Sequence, residues 1–222
     1  MQPTRSISSI SPFEPGKHFP SDWKVLMTKE EIDPHVATCA AFLNEKFAGQ
    51  KVILVCILKG AAWFLTRLSE HLVLEYSTYF LEASSYKDAQ KQESIQILNK
   101  IYPEKFAGRK VILIDELYDR GLTIETIKRT IIDETGLPES DIFTCTLFKK
   151  NLGPSYVYPG TLDYHAINVP NVWLVGWGLD DRQEKRGWPH LFAVPKTNKA
   201  DETADDRVIF GFEGLFVYFY TC

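Results

Sequence analysis

The chain has 222 residues, 45% of them hydrophobic, and a formal net charge of −4. That length and apolar content predict one globular domain with a sizeable core, and the slight acidity excludes a nucleic-acid partner held by a basic surface. No apolar stretch approaches the roughly 20 residues of a membrane-spanning helix, so no membrane partner is expected and the chain reads as cytoplasmic.

Residues 1–22 are rich in Ser and Pro, show no periodicity, lack the pattern of a secretory leader, and read as a loose arm. Thr28, with Glu31 three residues on, makes a capping box and predicts a helix to about Phe47, ended by Ala48-Gly49-Gln50. Val52 to Leu58 is an unbroken apolar run, the pattern of a parallel strand buried on both faces. It stops at Lys59-Gly60, and Ala61 to Leu72 follow at helical spacing. Tyr76 to Glu82 alternates like a strand, Ala83 to Glu93 is polar, and Ile95 to Leu98 is apolar again. The polar stretch reads as a long hairpin-like loop, a length that often marks a functional lid.

Val111 to Ile114 is a second fully buried strand, and it runs into Asp115-Glu116-Leu117-Tyr118-Asp119-Arg120-Gly121-Leu122-Thr123. Ile124, Ile127 and Ile131 then recur at helical spacing. A strand, an acidic turn with a Gly, and a helix present backbone N–H groups and a positive helix end to a phosphate. Carboxylates repel phosphate, so the acids call for other partners, and sugar hydroxyls or a hydrated Mg²⁺ are the natural ones. Open parallel sheets bind ligands at the carboxyl ends of their strands, which would put Lys59 and Asp115 on one rim.

Gly136-Leu137-Pro138 stops the central helix, and Ile142 to Phe148 is a strand closing on Lys149-Lys150. Asn151 to Gly160, rich in Gly, Pro and Tyr, reads as a loop before the short apolar run His165-Ala166-Ile167. Val172 to Asp180 is read as a strand carrying Trp173 and Trp177 and ending in an acid. Thr197 to Asp206 is a polar, acidic linker, and Val208 to Cys222 is apolar and aromatic, with an extra strand, a subunit contact and an aggregation-prone tail all open. Cys39, Cys56, Cys145 and Cys222 are scattered without metal-ligand spacing and read as reduced thiols.

The stretch from Val111 to Thr123 resembles the fingerprint of the type I phosphoribosyltransferases, and Leu58-Lys59-Gly60 is similar to the pyrophosphate loop of their hypoxanthine-guanine branch. The resemblance runs from about Asp22 to Pro195. It implies an α/β fold: a twisted, mostly parallel sheet with helices on both faces and a small hood from the terminal segments. The expected organisation is an arm over residues 1–22, a phosphoribosyltransferase domain with its hood over 23–195, and an extension of open role over 196–222.

The activity implied is transfer of a 5-phosphoribosyl group from 5-phosphoribosyl-1-pyrophosphate to a 6-oxopurine, releasing pyrophosphate, with Mg²⁺ as cofactor and a homodimer or homotetramer as the assembly. By the same resemblance Asp119 is the catalytic base toward purine N7. Asp115 and Glu116 hold the ribose hydroxyls, and with Asp180 they face the metal. Leu117, Tyr118, Arg120, Gly121, Leu122 and Thr123 wrap the 5′-phosphate, and Lys59, Gly60 and Arg186 bind pyrophosphate. Ser85-Tyr86 matches the pair on the family's closing loop. Trp173 is the ring that stacks on the base, between Val172 and the backbone of Leu174.

Three features depart from the pattern. Asp115-Glu116 inverts the usual Glu-Asp, and Arg120 stands where a small Thr is usual. The family lysine that donates to purine O6 aligns, through Asp163, Pro170 and Trp173, with Thr161, while Lys149 and Lys150 lie upstream as other sources of that charge. Two further readings share the fold: a non-catalytic protein that senses the phosphoribosyl donor, and a transferase acting on a pyrimidine.

Overall fold

The computed structural model describes residues 19–20, 22–87 and 93–195, with the side chains of 85–87 and 93–94 outside that description. The arm over residues 1–22, apart from Phe19, Pro20 and Asp22, the tip of the polar hairpin and the extension over 196–222 also lie outside it. The elements are β1 (Lys24–Met27), α1 (Lys29–Lys46), β2 (Val52–Leu58), α2 (Ala61–Ser69), β3 (Tyr76–Lys87) and β4 (Glu93–Ile97). They continue with β5 (Lys110–Tyr118), α3 (Leu122–Thr135), β6 (Ile142–Asn151), β7 (Tyr164–Pro170), β8 (Trp173–Val175) and β9 (Leu191–Val194).

Six strands form the main sheet in the order β4-β3-β2-β5-β6-β7, parallel throughout except for the antiparallel edge strand β4. The twofold repeat of a strand explains how helices cover both faces. Val52, Leu54 and Cys56 of β2, with Ile112 and Ile114 of β5, point into one cluster with Ile32, Val36 and Leu43 of α1 and Phe64 and Leu68 of α2. Ile53, Val55, Ile57, Val111 and Leu113 point the other way, onto Ile124, Ile127 and Ile131 of α3. A strand enclosed on both sides must be apolar at every position, which is why β2 and β5 read so plainly in the sequence.

The hood is a separate three-stranded antiparallel sheet, β1-β9-β8, so it joins the two ends of the domain. An aromatic cluster fills it, with Phe19 4.3 Å from Phe192 and Trp23 5.5 Å from Trp188 between ring centroids. His190 Nδ1 accepts from the backbone N–H of Lys29 at 3.0 Å and fastens the hood to the first turn of α1. The capping box at Thr28 and Glu31 is formed as expected.

Several expectations change here. The polar stretch after Glu82 is two paired strands, with Ala83 opposite Ile97 and Lys87 opposite Glu93, because a hairpin arm at a sheet edge keeps polar residues on its solvent face. The run around His165 is a seven-residue strand, β7, and β1 is an additional strand ahead of α1. Val172 to Asp180 is a strand only over Trp173–Val175, since Gly176 and Gly178 adopt φ of +95° and +97° and turn the chain. Among the described residues no helix is long and apolar enough to cross a membrane.

Candidate active site

The first parallel strand of the sheet, β2, ends at Leu58, and the Leu58–Lys59 peptide is cis. A Cβ on Gly60 would meet Glu116 Oε1 at 1.9 Å, and a Cβ on Gly178 would meet the Gly60 carbonyl oxygen at 2.2 Å. The β2 turn, the end of β5 and the hood therefore close on one another with no room for side chains at either glycine. Lys59 extends outward and lies 4.0 Å from Glu82. Because β2 and β5 pair in parallel, Lys59 and Asp115 share the carboxyl rim.

Asp115 is buried and its Oδ1 accepts from the Glu116 N–H at 2.9 Å. Burial, and then the neighbouring Glu116 charge, hold the Asp115 carboxyl well above the ordinary carboxylate range. Burial also raises Glu116, with Arg186 pulling the other way. The effect reaches Cys56, whose thiol is pushed up to about 12 by burial and then by the two acids. Two adjacent carboxylates of this kind, one buried and one half-buried, favour a ligand that brings hydroxyl donors or a cation.

Opposite them, Arg186 Nη2 lies 2.6 Å from Asp180 Oδ1, its Nη1 donates to the Gly178 carbonyl at 2.9 Å, and its buried Nε has no hydrogen-bond partner. Lys59, Gly60, Glu82, Asp115, Glu116, Asp180 and Arg186 line one open cavity of about 430 Å³. Among the described residues no three His, Cys, Asp or Glu side chains form a metal cage. Hard oxygen donors on two sides of a cavity with basic groups nonetheless fit Mg²⁺, which is commonly held by one or two carboxylates together with substrate phosphates.

A second cavity of about 230 Å³ adjoins it, lined by Asp115, Leu117 to Ile124 and the turn between β5 and α3. Gly121 caps α3 with φ of +83°, and a Cβ there would meet Tyr118 Oη at 2.5 Å. The first helical bond runs from the Glu125 N–H to the Gly121 carbonyl, so the helix itself makes no use of the N–H groups of residues 121 to 124. A helix N-terminus behind a glycine turn is built for a phosphate. On the rim of this turn Asp119 Oδ2 lies 2.8 Å from Lys150 Nζ, with Lys150 itself buried.

A family profile described as the phosphoribosyl transferase domain matches residues 23–182, most of the chain. The chain belongs to that family. It is 29% identical over 199 residues to a hypoxanthine-guanine phosphoribosyltransferase of Mycobacterium bovis, covering 86% of this chain and 96% of that one. It is 27% identical over 166 residues to a hypoxanthine-guanine-xanthine phosphoribosyltransferase of Tritrichomonas foetus, covering 75% and 88%. In fold it is similar to a hypoxanthine phosphoribosyltransferase of Staphylococcus aureus, with a TM-score of 0.67 at 24% identity over 78% of this chain and 91% of that one. The Trypanosoma cruzi enzyme in complex with the product IMP gives a TM-score of 0.66 at 22% identity, covering 78% and 90%.

In this phosphoribosyltransferase the carboxyl rim gathers Lys59, Gly60, Asp115, Glu116, Asp119, the turn to Thr123, Asp180 and Arg186. Thr161 is not among them. It lines a cavity at the opposite, amino end of the sheet, beside Lys110, Asp141 and Ile142 at the starts of β5 and β6. The expectation that Thr161 meets the base is corrected by topology: Thr161 precedes a strand that runs parallel to β6, so it sits at the entry end of the sheet. Of the two upstream lysines, Lys150 at the exit of β6 reaches Asp119 on the rim, in line with the rule that joined Lys59 to Asp115.

The other predicted residues divide. Trp173, with 57% of its surface exposed, stands on β8 in the hood and lines neither rim cavity, while Val172 is half-buried and Leu174 buried. Ser85 and Tyr86 lie on β3, with their side chains outside the described part. Gly178 and Gln183 were missed; the Gln183 N–H donates to Asp180 Oδ2 at 2.7 Å and fixes that carboxylate. No sequence period marks either residue, because both act through a turn.

Proposed function

We propose that this chain transfers the 5-phosphoribosyl group of 5-phosphoribosyl-1-pyrophosphate to a 6-oxopurine, giving the nucleoside monophosphate and pyrophosphate. The observation that carries this reading is the Asp119–Lys150 pair beside the phosphate turn. A carboxylate next to an ammonium offers an acceptor and a donor side by side. The exposed edge of hypoxanthine or guanine offers the complement, an N7–H and a C6 carbonyl. Adenine carries an amino group at C6, which an ammonium repels. The names of the relatives support the same substrate class.

The roles follow from position. The N–H groups of the turn from Gly121 and the start of α3 hold the 5′-phosphate. Asp115 and Glu116 accept from the ribose 2′- and 3′-hydroxyls, which add donors to the single backbone N–H that Asp115 Oδ1 already accepts. Lys59 and Arg186 stabilise the departing pyrophosphate. Bound with the donor at Asp115, Glu116 and Asp180, Mg²⁺ would offset charge on the leaving group. Positive charge grows on the ribose as the C1′–O bond breaks, and Asp119 accepts the N7 proton as N9 attacks, a role typically worth 10²–10⁴-fold. Lys150 donates to O6, and Trp173 stacks on the base once the hood and its ligand come together. The hairpin bearing Ser85 and Tyr86 closes over the centre and keeps water from the donor.

The test is a panel of hypoxanthine, guanine, xanthine and adenine with the donor and Mg²⁺, following pyrophosphate release. Turnover of the 6-oxopurines above adenine is expected, and its loss on Lys150→Ala ties the preference to that residue. Donor binding without turnover of any base would favour a sensor of the same fold. Turnover of a pyrimidine alone would reassign the base.

A further inference from the structure

The loop between β6 and β7, residues 152–163, carries three contacts onto the turn between β5 and α3. Tyr156 Oη donates to the Arg120 carbonyl at 3.1 Å, and Tyr118 Oη donates to the Gly160 carbonyl at 3.3 Å. Gly160 lies so close to α3 that a Cβ there would meet Glu125 Oε2 at 2.0 Å. The rings continue the contact: Tyr156 packs on Tyr158 at 4.8 Å, and Tyr158 on Tyr118 at 5.0 Å. Tyr158 Oη in turn donates to the Lys150 carbonyl at 2.9 Å, fastening the loop to the strand end that carries the rim lysine.

From these contacts we infer that Tyr156 is a positioning residue for donor binding, acting through the Arg120–Gly121 peptide. A trans peptide is planar, with its C=O and N–H pointing in opposite directions. A hydroxyl that holds the Arg120 oxygen on one side therefore aims the Gly121 N–H to the other side. Gly121 needs such a hold. Its left-handed φ of +83° is one of several conformations open to glycine, and the helix makes no use of its N–H. Without Tyr156 Oη, ordering this peptide falls to the ligand, which weakens its binding. The effect is confined to ligands with a phosphate in that turn, because among the described residues Tyr156 does not line the groove at Lys59, Gly60 and Arg186.

The inference rests on the phosphoribosyl-donor reading, and the experiment separates the two. Ribose 5-phosphate and inorganic pyrophosphate are titrated separately into the full chain and into Tyr156→Phe, with Mg²⁺ present and melting temperatures recorded. Tyr156→Phe is expected to weaken ribose 5-phosphate by about three- to tenfold, the value of one neutral hydrogen bond, and to leave pyrophosphate unchanged. In turnover the donor KM rises by the same factor while kcat stays within about twofold. Val157→Ala, on the same loop with 86% of its residue exposed, serves as the control and leaves both ligands unchanged. Equal loss of both ligands, or loss of neither, overturns the positioning role. If Tyr156→Phe lowers the melting temperature, Tyr156→His, which keeps a ring donor, must recover ribose 5-phosphate affinity in part, and failure to do so overturns the role as well. Failure of the wild-type chain to bind ribose 5-phosphate would instead count against the phosphoribosyl reading.

Discussion

The two ends of the main sheet are built from the same strands and differ in how their charges are settled. At the amino end Lys110 pairs with Asp141, and Lys128 with Glu139 at 2.5 Å and Glu125 at 3.9 Å. The cavity there, about 470 Å³, is similar in size to the one of about 430 Å³ at the rim, yet these lysines and acids answer one another. At the carboxyl end buried Asp115 and half-buried Glu116 lie side by side with raised pKa values, Arg186 keeps a buried Nε without a partner, and α3 leaves N–H groups open. Volume does not find the site. Unsettled charge in a buried place does, because each such group costs stability until a ligand satisfies it.

The sharpest way to break the carboxyl end is Gly178→Ala. The added Cβ faces a backbone oxygen at 2.2 Å, and a φ of +97° is strained for alanine, so the hood must shift away from Gly60. Turnover should fall by about 100-fold or more, and the melting temperature by roughly 5–10 °C, as a strain of 2–3 kcal/mol implies for a domain of this size. An unchanged melting curve would show that the hood yields freely.

Asp119→Asn leaves the phosphate turn in place and removes the proton acceptor. The expected outcome is a kcat lower by about 10²-fold with donor affinity nearly unchanged, read by steady-state kinetics and donor titration. Lys150→Ala removes a charge-assisted donor, and kcat/KM for hypoxanthine and guanine should drop roughly 10- to 100-fold while adenine is spared. An equal drop for adenine would mean that Lys150 serves Asp119 alone.

Asp115→Asn tests the like-charged pair directly. Removing the buried one of two adjacent carboxylates relieves repulsion, so the ligand-free protein should melt higher at neutral pH while donor binding weakens. A lower melting temperature with unchanged donor binding would make Asp115 a structural acid. At the other end of the sheet, Thr161→Lys adds a lysine where charges already pair, and base selectivity should not move. A selective gain for 6-oxopurines in that variant would place the base at the wrong end of this sheet.

The buried strands Val52 to Leu58 and Val111 to Ile114, the capping box at Thr28, and the acidic turn into α3 were legible in the sequence. Each is a local matter: a strand covered on both faces must be apolar throughout, a cap needs a hydroxyl and an acid three residues apart, and a phosphate turn needs its glycine within the turn. That Lys59 and Asp115 share a rim followed from the parallel order of their strands. What required the tertiary structure was every relation between segments far apart in the chain. Thr161 and Lys150 are eleven positions apart in the sequence, and alignment by neighbouring residues selected the one that lies away from the carboxyl rim. A β-strand rises about 3.3 Å per residue, so a strand of this length carries its two ends to opposite sides of the domain. Only the direction of β6 decides which lysine or threonine lies at the carboxyl rim. Gly60 against Gly178, Gly160 against Glu125 and Tyr156 against Arg120 are likewise absent from any local pattern, because each is a close approach between elements whose separation the fold alone sets.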